Sequence, residues 1–342
     1  TSRPGRRARV RILCLAHKNK AVNCRRISMK YFFKKLVTLI ITLLLISLLT
    51  FTAFSVIPGD AALTRLGEDA TEEQIEAFRE EYGLNDPMPV RYVNWLSGAV
   101  RGNFGDSYYY DNMTVSELLA VRLPVTVLLA AVSLVMILVC SVPLGLLCAR
   151  GAGGALDHAV NGTLQVVMAV PSFFLGIILT YVCGLILKWF QPGQFVAPSE
   201  SFWGAVSYLV FPAAAVALPK IAMVVKFLRN SVLSELSRDY VRTARSRGNS
   251  SRRILYVHVL KNALIPVITF VAMVVAEILA GSIIVEQVFS VPGVGRLLIS
   301  SISNRDYPIV QAIVMYVTLV VVLVNFLVDM MYQLLDPRVR TS

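Results

Sequence analysis

Six apolar runs constrain this chain more than any other feature. They fall at about 36–57, 124–148, 160–187, 206–228, 264–288 and 309–333. About 20 apolar residues in a helix cross the hydrocarbon of a bilayer, and in lipid only helices and closed barrels satisfy their backbone polar groups. The runs are continuous rather than alternating, so helices follow. Composition agrees: 56% of the 342 residues are hydrophobic and 16% are charged, against about a quarter charged in soluble domains. The fold class is all-α, a polytopic helical membrane protein with six transmembrane helices.

The net charge of +12 raises the question of a nucleic-acid partner, and its distribution answers against one. Nine basic residues and no acids lie in the first 28 positions, and a second block occupies 226–261. Basic clusters beside apolar spans read as cytoplasmic flanks. Residues 1–28 have no apolar period and precede "MKYFFKKLVTLI", which looks like a natural start at Met29. They are read as a basic N-terminal extension, a tag or upstream-translated segment, with an arginine-rich targeting peptide as the alternative. Cys140, Cys148 and Cys183 fall in apolar runs and Cys14 and Cys24 in the basic tail; no CxxC or Cys/His cluster appears, so no metal or redox chemistry is expected.

Lys30, Lys34 and Lys35 place the start of the first span in the cytoplasm. A cleaved signal peptide is the rival, but the run is too long and no A-x-A site follows. Residues 29–121 therefore comprise the first helix and an extracytoplasmic insert, and 122–342 a five-helix core. The insert, from 58 to 121, reverses the charge balance with twelve acids against Arg65, Arg79, Arg91 and Arg101. Within it "TEEQIEAFREEYGL" predicts a helix, with Thr71 and Gln74 as a capping box, Ile75, Phe78 and Tyr82 on one face, and Gly83 as the stop. That face needs a surface, most simply the membrane domain or a docking partner. Six crossings return the C-terminus, with Arg338 and Arg340, to the cytoplasm.

The segment at 226–261 carries nine basic residues against Glu235 and Asp239. Asp239 is expected to cap a short helix on which Tyr240 and Ala244 face the same way. Gly248 then ends it with a positive φ. Ser250 starts a second helix, with Ile254, Val257 and His258 in one stripe, leading to Pro266. On these properties alone a solvated positive-inside loop competes with a lever that docks another protein.

Inside the spans, Glu277 and the i, i+4 pair Asn325 and Asp329 are costly placements, about 2.5–3.5 kcal/mol per charge on insertion scales, which marks functional candidates. They are candidates for lining a translocation pathway, with inter-helix hydrogen bonding as the alternative. Lys220 is a candidate partner for Glu277. The glycines of "SVPGVG", 290–295, are read as backbone geometry in an outer turn. No nucleophile–base arrangement is visible among His17, His158 and His258, so an enzyme is not expected. A proton-coupled secondary transporter remains as a rival.

"YVRTARSRG" at 240–248 and "NALIP" at 262–266 resemble the EAA loop of ABC-transporter permeases of the oligopeptide, dipeptide and nickel importer family. "IPGD" at 57–60, "YGLNDP", "RGNFGDSY", "PSFFLG" at 171–176, "VEQVFSVPGVGRLL", "NRDYP" and "LLDPRVR" follow the same family in order, over about 300 residues. Arg242, Thr243 and Ala244 stand where the generic motif has Glu-Ala-Ala, as is usual in the peptide branch, and Ala61 replaces a frequent second proline. Glu286 falls at a position associated with the family pattern; Glu277 does not.

The resemblance implies a type I ABC importer permease fold, with a coupling loop at about 230–262. It implies that Asp239, Tyr240, Arg242, Thr243, Ala244, Arg245, Arg247 and Gly248 form the coupling helix that docks a cytosolic ATPase. ATP and magnesium would then be held by partner subunits, with no cofactor in this chain, which has no G-x-x-x-x-G-K-[ST]. The implied partners are a second homologous permease, two ATPase subunits, an extracytoplasmic binding protein and membrane lipid. The implied cargo is peptide, with nickel complexes, glutathione-like compounds or oligosaccharides as alternatives, and the implied location is the bacterial inner membrane with both termini cytoplasmic.

Overall fold

The computed structural model describes residues 29–56, 61–67 and 69–335. The N-terminal extension, the "IPGD" segment and the arginines of the tail lie outside them. The chain begins with α1 (Met29–Val56), followed in the insert by α2 (Ala61–Leu66), α3 (Glu72–Glu81) and α4 (Met88–Val100). The core contains α5 (Val115–Arg150), α6 (Ala155–Ala169), α7 (Ser172–Ile186), α8 (Phe202–Leu236), α9 (Asp239–Ser246), α10 (Ser251–Val288), α11 (Val294–Ser303) and α12 (Tyr307–Leu335).

Among the described residues α1, α5, α8, α10 and α12 are each long and apolar enough to cross a membrane. The third apolar run is not the straight span its composition suggests. It is a bent pair, α6 and α7, meeting at 98°. Pro171 is the cause: it pushes Val170 to extended backbone, φ −90° and ψ 124°, where a helix cannot continue. The pair nevertheless crosses the bundle once. α6 starts next to the Arg150 end of α5, where the Gly153 amide donates to Asp157 at 2.9 Å. The segment after α7 packs beside Arg122 and Pro124, at the opposite end of α5.

This gives the molecule two ends. The basic end carries Arg150, α9 and the start of α10; the insert end carries α2 to α4, α11 and the loop after α7. α8 runs through the centre and packs against α5, α6, α7 and α10. Small residues allow the close approach: Ala213, Ala215, Ala217 and Ala222 are buried, and a Cβ on Gly145 of α5 would lie 2.8 Å from Leu228 Cδ2.

In the insert, Thr71 and Gln74 form the capping box that opens α3, and Gly83 sits at φ +62°. Ile75 and Phe78 are buried with Tyr82 against them, but they rest on Tyr108 of the same insert rather than on a separate surface. Thr114 and Glu117 make a second capping box, at 3.2 and 3.0 Å, so α5 begins at Val115 and residues 115–121 are already helical.

Candidate functional site

At the basic end the expected coupling residues come together on one short helix. Arg238, with φ −72° and ψ 152°, is the N-cap and makes no side-chain cap bond. Asp239 is therefore the first helical residue rather than the cap, and its carboxylate complements the N-terminal dipole. Val241, not Tyr240, shares the buried face with Ala244. Tyr240 is exposed, and its hydroxyl donates to Glu235 at 2.8 Å. Gly248 has φ +76° and a Cβ there would touch nothing within 4 Å, so backbone conformation alone requires glycine. Asn249 closes the turn, its backbone amide and Nδ2 both donating to the Ala244 carbonyl at 3.3 and 3.1 Å.

Ser250 caps α10, accepting from the Arg253 amide at 3.4 Å. The next residues, 254–259, are π-helical. The wider turn moves side chains around the axis, so the buried set is Ile254, Leu255 and Val259, while Val257 is exposed. This corrects the expected stripe of Ile254, Val257 and His258. Val241 and Ala244 join these residues in the main core. α9 is thus clamped on its apolar side to a helix that continues to Val288. Its other side presents Arg242, Thr243, Arg245 and Arg247 to solvent. The pair of Arg242 with Asp239, at 3.6 Å and fully exposed on both partners, contributes little to stability.

A buried ion pair that sequence reasoning missed braces this end. Arg229 of α8 grips Asp157 of α6 through Nε at 2.7 Å and Nη2 at 2.6 Å. Asp157 is 1% exposed and also accepts from Gly153 and Asn161. The planar fork makes the contact bidentate. Sequence reasoning counted Arg229 only as part of a charge run.

The intramembrane candidates separate. Glu277 of α10 meets Lys220 of α8 in a direct ion pair. Asp329 of α12 instead pairs with Lys35 of α1 at 2.6 Å, and Asn325 lies exposed one turn away. Counted from the insert ends of their helices, Glu277 and Asp329 differ in depth by on the order of 15 Å at the α-helical rise. The three do not form one cluster.

The insert end is held by two fully buried carboxylates. Glu286 accepts from Thr126 Oγ1 at 2.7 Å and from the Gly295 amide at 2.7 Å; Thr126 in turn accepts from the Val294 amide at 2.9 Å. An anion at the N-terminus of α11 suits the helix dipole. The glycines of "SVPGVG" are therefore more than turn formers. A Cβ on Gly293 would lie 2.4 Å from Glu286 Oε2, and one on Gly295 2.4 Å from Ile283 Cα.

Asp306 accepts from the Ser107 hydroxyl and from the amides of Tyr108 and Tyr109, both at 3.2 Å, tying the insert to the start of α12. Burial pushes its carboxyl above the usual range, against the pull of these donors. Burial likewise pushes the Tyr108 phenol up to about 12, so it stays neutral. The signal for Asp306 was in the sequence: an aspartate just before Tyr-Pro reads as a helix N-terminus.

Comparison with known proteins agrees with this architecture. The family of binding-protein-dependent transport system inner membrane components matches residues 141–341, and its N-terminal family matches residues 28–130. A probable peptide ABC transporter permease protein, y4tP, of Sinorhizobium fredii is 36% identical over 91% of this chain and 99% of its own length. The oligopeptide transport system permease protein AppB of Bacillus subtilis is 35% identical over 91% of this chain and 99% of its own. A putative peptide permease protein of Brucella suis is 33% identical over 88% and 95%.

Proposed function

The chain belongs to the family of binding-protein-dependent transport system inner membrane components, and from that premise we propose that it forms half of the peptide pathway of an ABC importer. It is a multi-pass inner-membrane protein. It pairs with a second permease chain, receives peptides from an extracytoplasmic binding protein, and is driven by two ATPase subunits that bind ATP and magnesium. It catalyses no covalent step itself. The basic end faces the cytoplasm, since its arginines follow the positive-inside rule, and the insert faces outward. The peptide assignment rests on the printed names of the relatives.

The observation that carries this reading is α9: a short helix with an outward cationic face, its apolar face locked to α10. ATPase subunits that close on nucleotide would move α9, and α10 would carry the displacement into the bundle as a shear between packed helices. Replacing Gly248 with isoleucine tests it. A β-branched residue is disfavoured at positive φ by about 1–2 kcal/mol, so the turn re-forms and α9 reorients. In vesicles containing the intact transporter, peptide uptake should fall at least tenfold while ATP hydrolysis continues. Unchanged uptake per ATP would refute the lever.

Glu277 and Lys220 are assigned to the pathway. The Glu277 side chain is 49% exposed, so the pair lies on an open face of α8 and α10, where opposite charges hold each other neutral and either can exchange its partner for a peptide terminus. Lys220→Met alone leaves Glu277 unpaired and should lower uptake, as should Glu277→Gln. Exchanging the two, Lys220→Glu with Glu277→Lys, should restore insertion and part of the uptake. If the exchange is no better than the single changes, the pair does not act as a unit.

A further inference from the structure

A cavity of about 490 Å³ opens at the insert end beside α11, where α5 starts and α10 finishes. No role assigned above uses it. Tyr110, Gln287, Ser300 and Ser303 line it together with two cations, Arg122 of α5 and Arg296 of α11, and no aspartate or glutamate does. Both arginines are anchored on one turn. Arg122 Nη1 donates to the Pro292 carbonyl at 3.4 Å, and Arg296 Nη1 to the Ser290 carbonyl at 3.0 Å. That turn is itself held, the Tyr208 hydroxyl donating to the Phe289 carbonyl at 2.6 Å and the Val291 amide to the Glu286 carbonyl at 2.8 Å.

Each guanidinium presents a planar fork of N–H donors, and one carbonyl uses only part of it. Neither arginine is in an ion pair among the described residues, unlike Lys35, Lys220 and Arg229. Glu286 sits behind Gly293, fully buried and satisfied by Thr126 and the Gly295 amide. Glu200 lines a neighbouring cavity that Arg122 also borders, on the side away from Arg296. A concave wall of one sign concentrates counter-ions, and a carboxylate matches the geometry of the fork.

A second observation ties the cavity to the pathway. On α10 the exposed residues Met273, Glu277, Ala280, Ile284 and Gln287 recur at intervals of four and three, which makes one continuous open stripe. Glu277 is the pathway acid assigned above, and Gln287 belongs to the cavity wall. The cavity therefore sits at the outer end of that stripe, about 15 Å from Glu277 at the helical rise.

We propose that this cavity is a carboxylate-binding site at the outer mouth of the pathway, where Arg122 and Arg296 take the C-terminal carboxylate of a peptide and Gln287, Ser300 and Ser303 bond its neighbouring amides. The volume lies within the range of small-molecule sites, about 300–1,000 Å³. Choosing a peptide as the bearer of the carboxylate rests on the peptide-importer reading; the anion site itself rests on the cavity.

Ser303→Cys places a thiol in the wall. In the full chain in lipid nanodiscs, it should react at least tenfold faster with sulfonatoethyl methanethiosulfonate, an anion, than with the cationic trimethylammonium reagent. Each rate is divided by that of a free thiol and corrected for the chain without the added cysteine. N-acetyl-dialanine, which has a carboxylate and no ammonium, should protect the thiol saturably. N-acetyl-dialanine amide should not protect it, and acetate should need at least tenfold more. Arg122→Gln and Arg296→Gln should each raise the protecting concentration at least fivefold, while Arg101→Gln, on the outer side but outside the cavity wall, should leave it unchanged.

The proposal is overturned if the anionic reagent has no advantage, if the amide or acetate protects as well as the peptide acid, or if neither cavity arginine matters. The larger reading fails separately. An intact transporter that takes up no peptide refutes peptide import whatever the cavity binds, and uptake unaltered by the two arginine changes refutes only the site's place on the pathway.

Discussion

Gly295→Ala should unseat α11 and sharply destabilise the insert end. The added Cβ would lie 2.4 Å from Ile283 Cα, 2.8 Å from the Ile283 carbonyl oxygen and 2.9 Å from Glu286 Oε2. Two of these three atoms are backbone of α10 and cannot rotate away, so α11 itself must lift. Lifting it breaks the 2.7 Å bond from the Gly295 amide and strains the Thr126 bridge to Val294. It leaves the Glu286 carboxylate buried with fewer donors. Overpacking and an under-satisfied buried anion together cost about 3 kcal/mol or more. The melting temperature in detergent should drop by several degrees, and trypsin should cut faster at the exposed Arg296. Gly281→Ala in α10 is the control. A Cβ there meets nothing within 4 Å, and alanine is the better helix former, so stability should hold or rise. Equal effects from the two substitutions would show that the close approach is not what demands glycine.

Asp157→Ala acts at the other end with comparable force. It removes both oxygens that the Arg229 fork holds, and with them the acceptor for the Gly153 amide that fixes the turn from α5 into α6. Deleting one partner of a bidentate pair destabilises because the remaining charge is uncompensated. Arg229 retains some contact with solvent, its side chain being 21% exposed, which moderates the loss. The expected result is a large loss of folded protein and of the bent pair's attachment to α8. The paired change Asp157→Leu with Arg229→Met should recover much of it, since two apolar side chains leave no stranded charge. A double variant as unstable as Asp157→Ala would mean that the hydrogen bonds, rather than the charge, hold this corner.

These two sites show where sequence reading stops. The capping box of Thr71 and Gln74, the positive φ of Gly248 and the cap at Ser250 were all legible, because each links residues no more than four positions apart. The face of α9 was misjudged for a local reason too. With Arg238 rather than Asp239 outside the helix, the packed positions become Val241 and Ala244. The stripe at the start of α10 failed because a π-helical turn changes the angular step, and no residue there announces it. Pro171 was visible, but a proline alone does not say whether a helix kinks slightly or bends by 98°.

What the sequence by itself determined is the solvent and the layout: an all-helical membrane chain, the position of each apolar run, an acidic insert and an arginine-rich segment. Length and hydropathy suffice for that, because crossing a bilayer is a requirement each segment meets alone. Tertiary structure decided which charges meet what: Asp157 with Arg229, Lys35 with Asp329, Lys220 with Glu277, Glu286 with the Thr126 hydroxyl and Asp306 with the Tyr108 amide, all far apart in the chain. A charge in an apolar surrounding must find a partner, but the sequence leaves that choice open. It is made only when helices distant in the chain pack at one depth and bring the two groups within hydrogen-bonding reach.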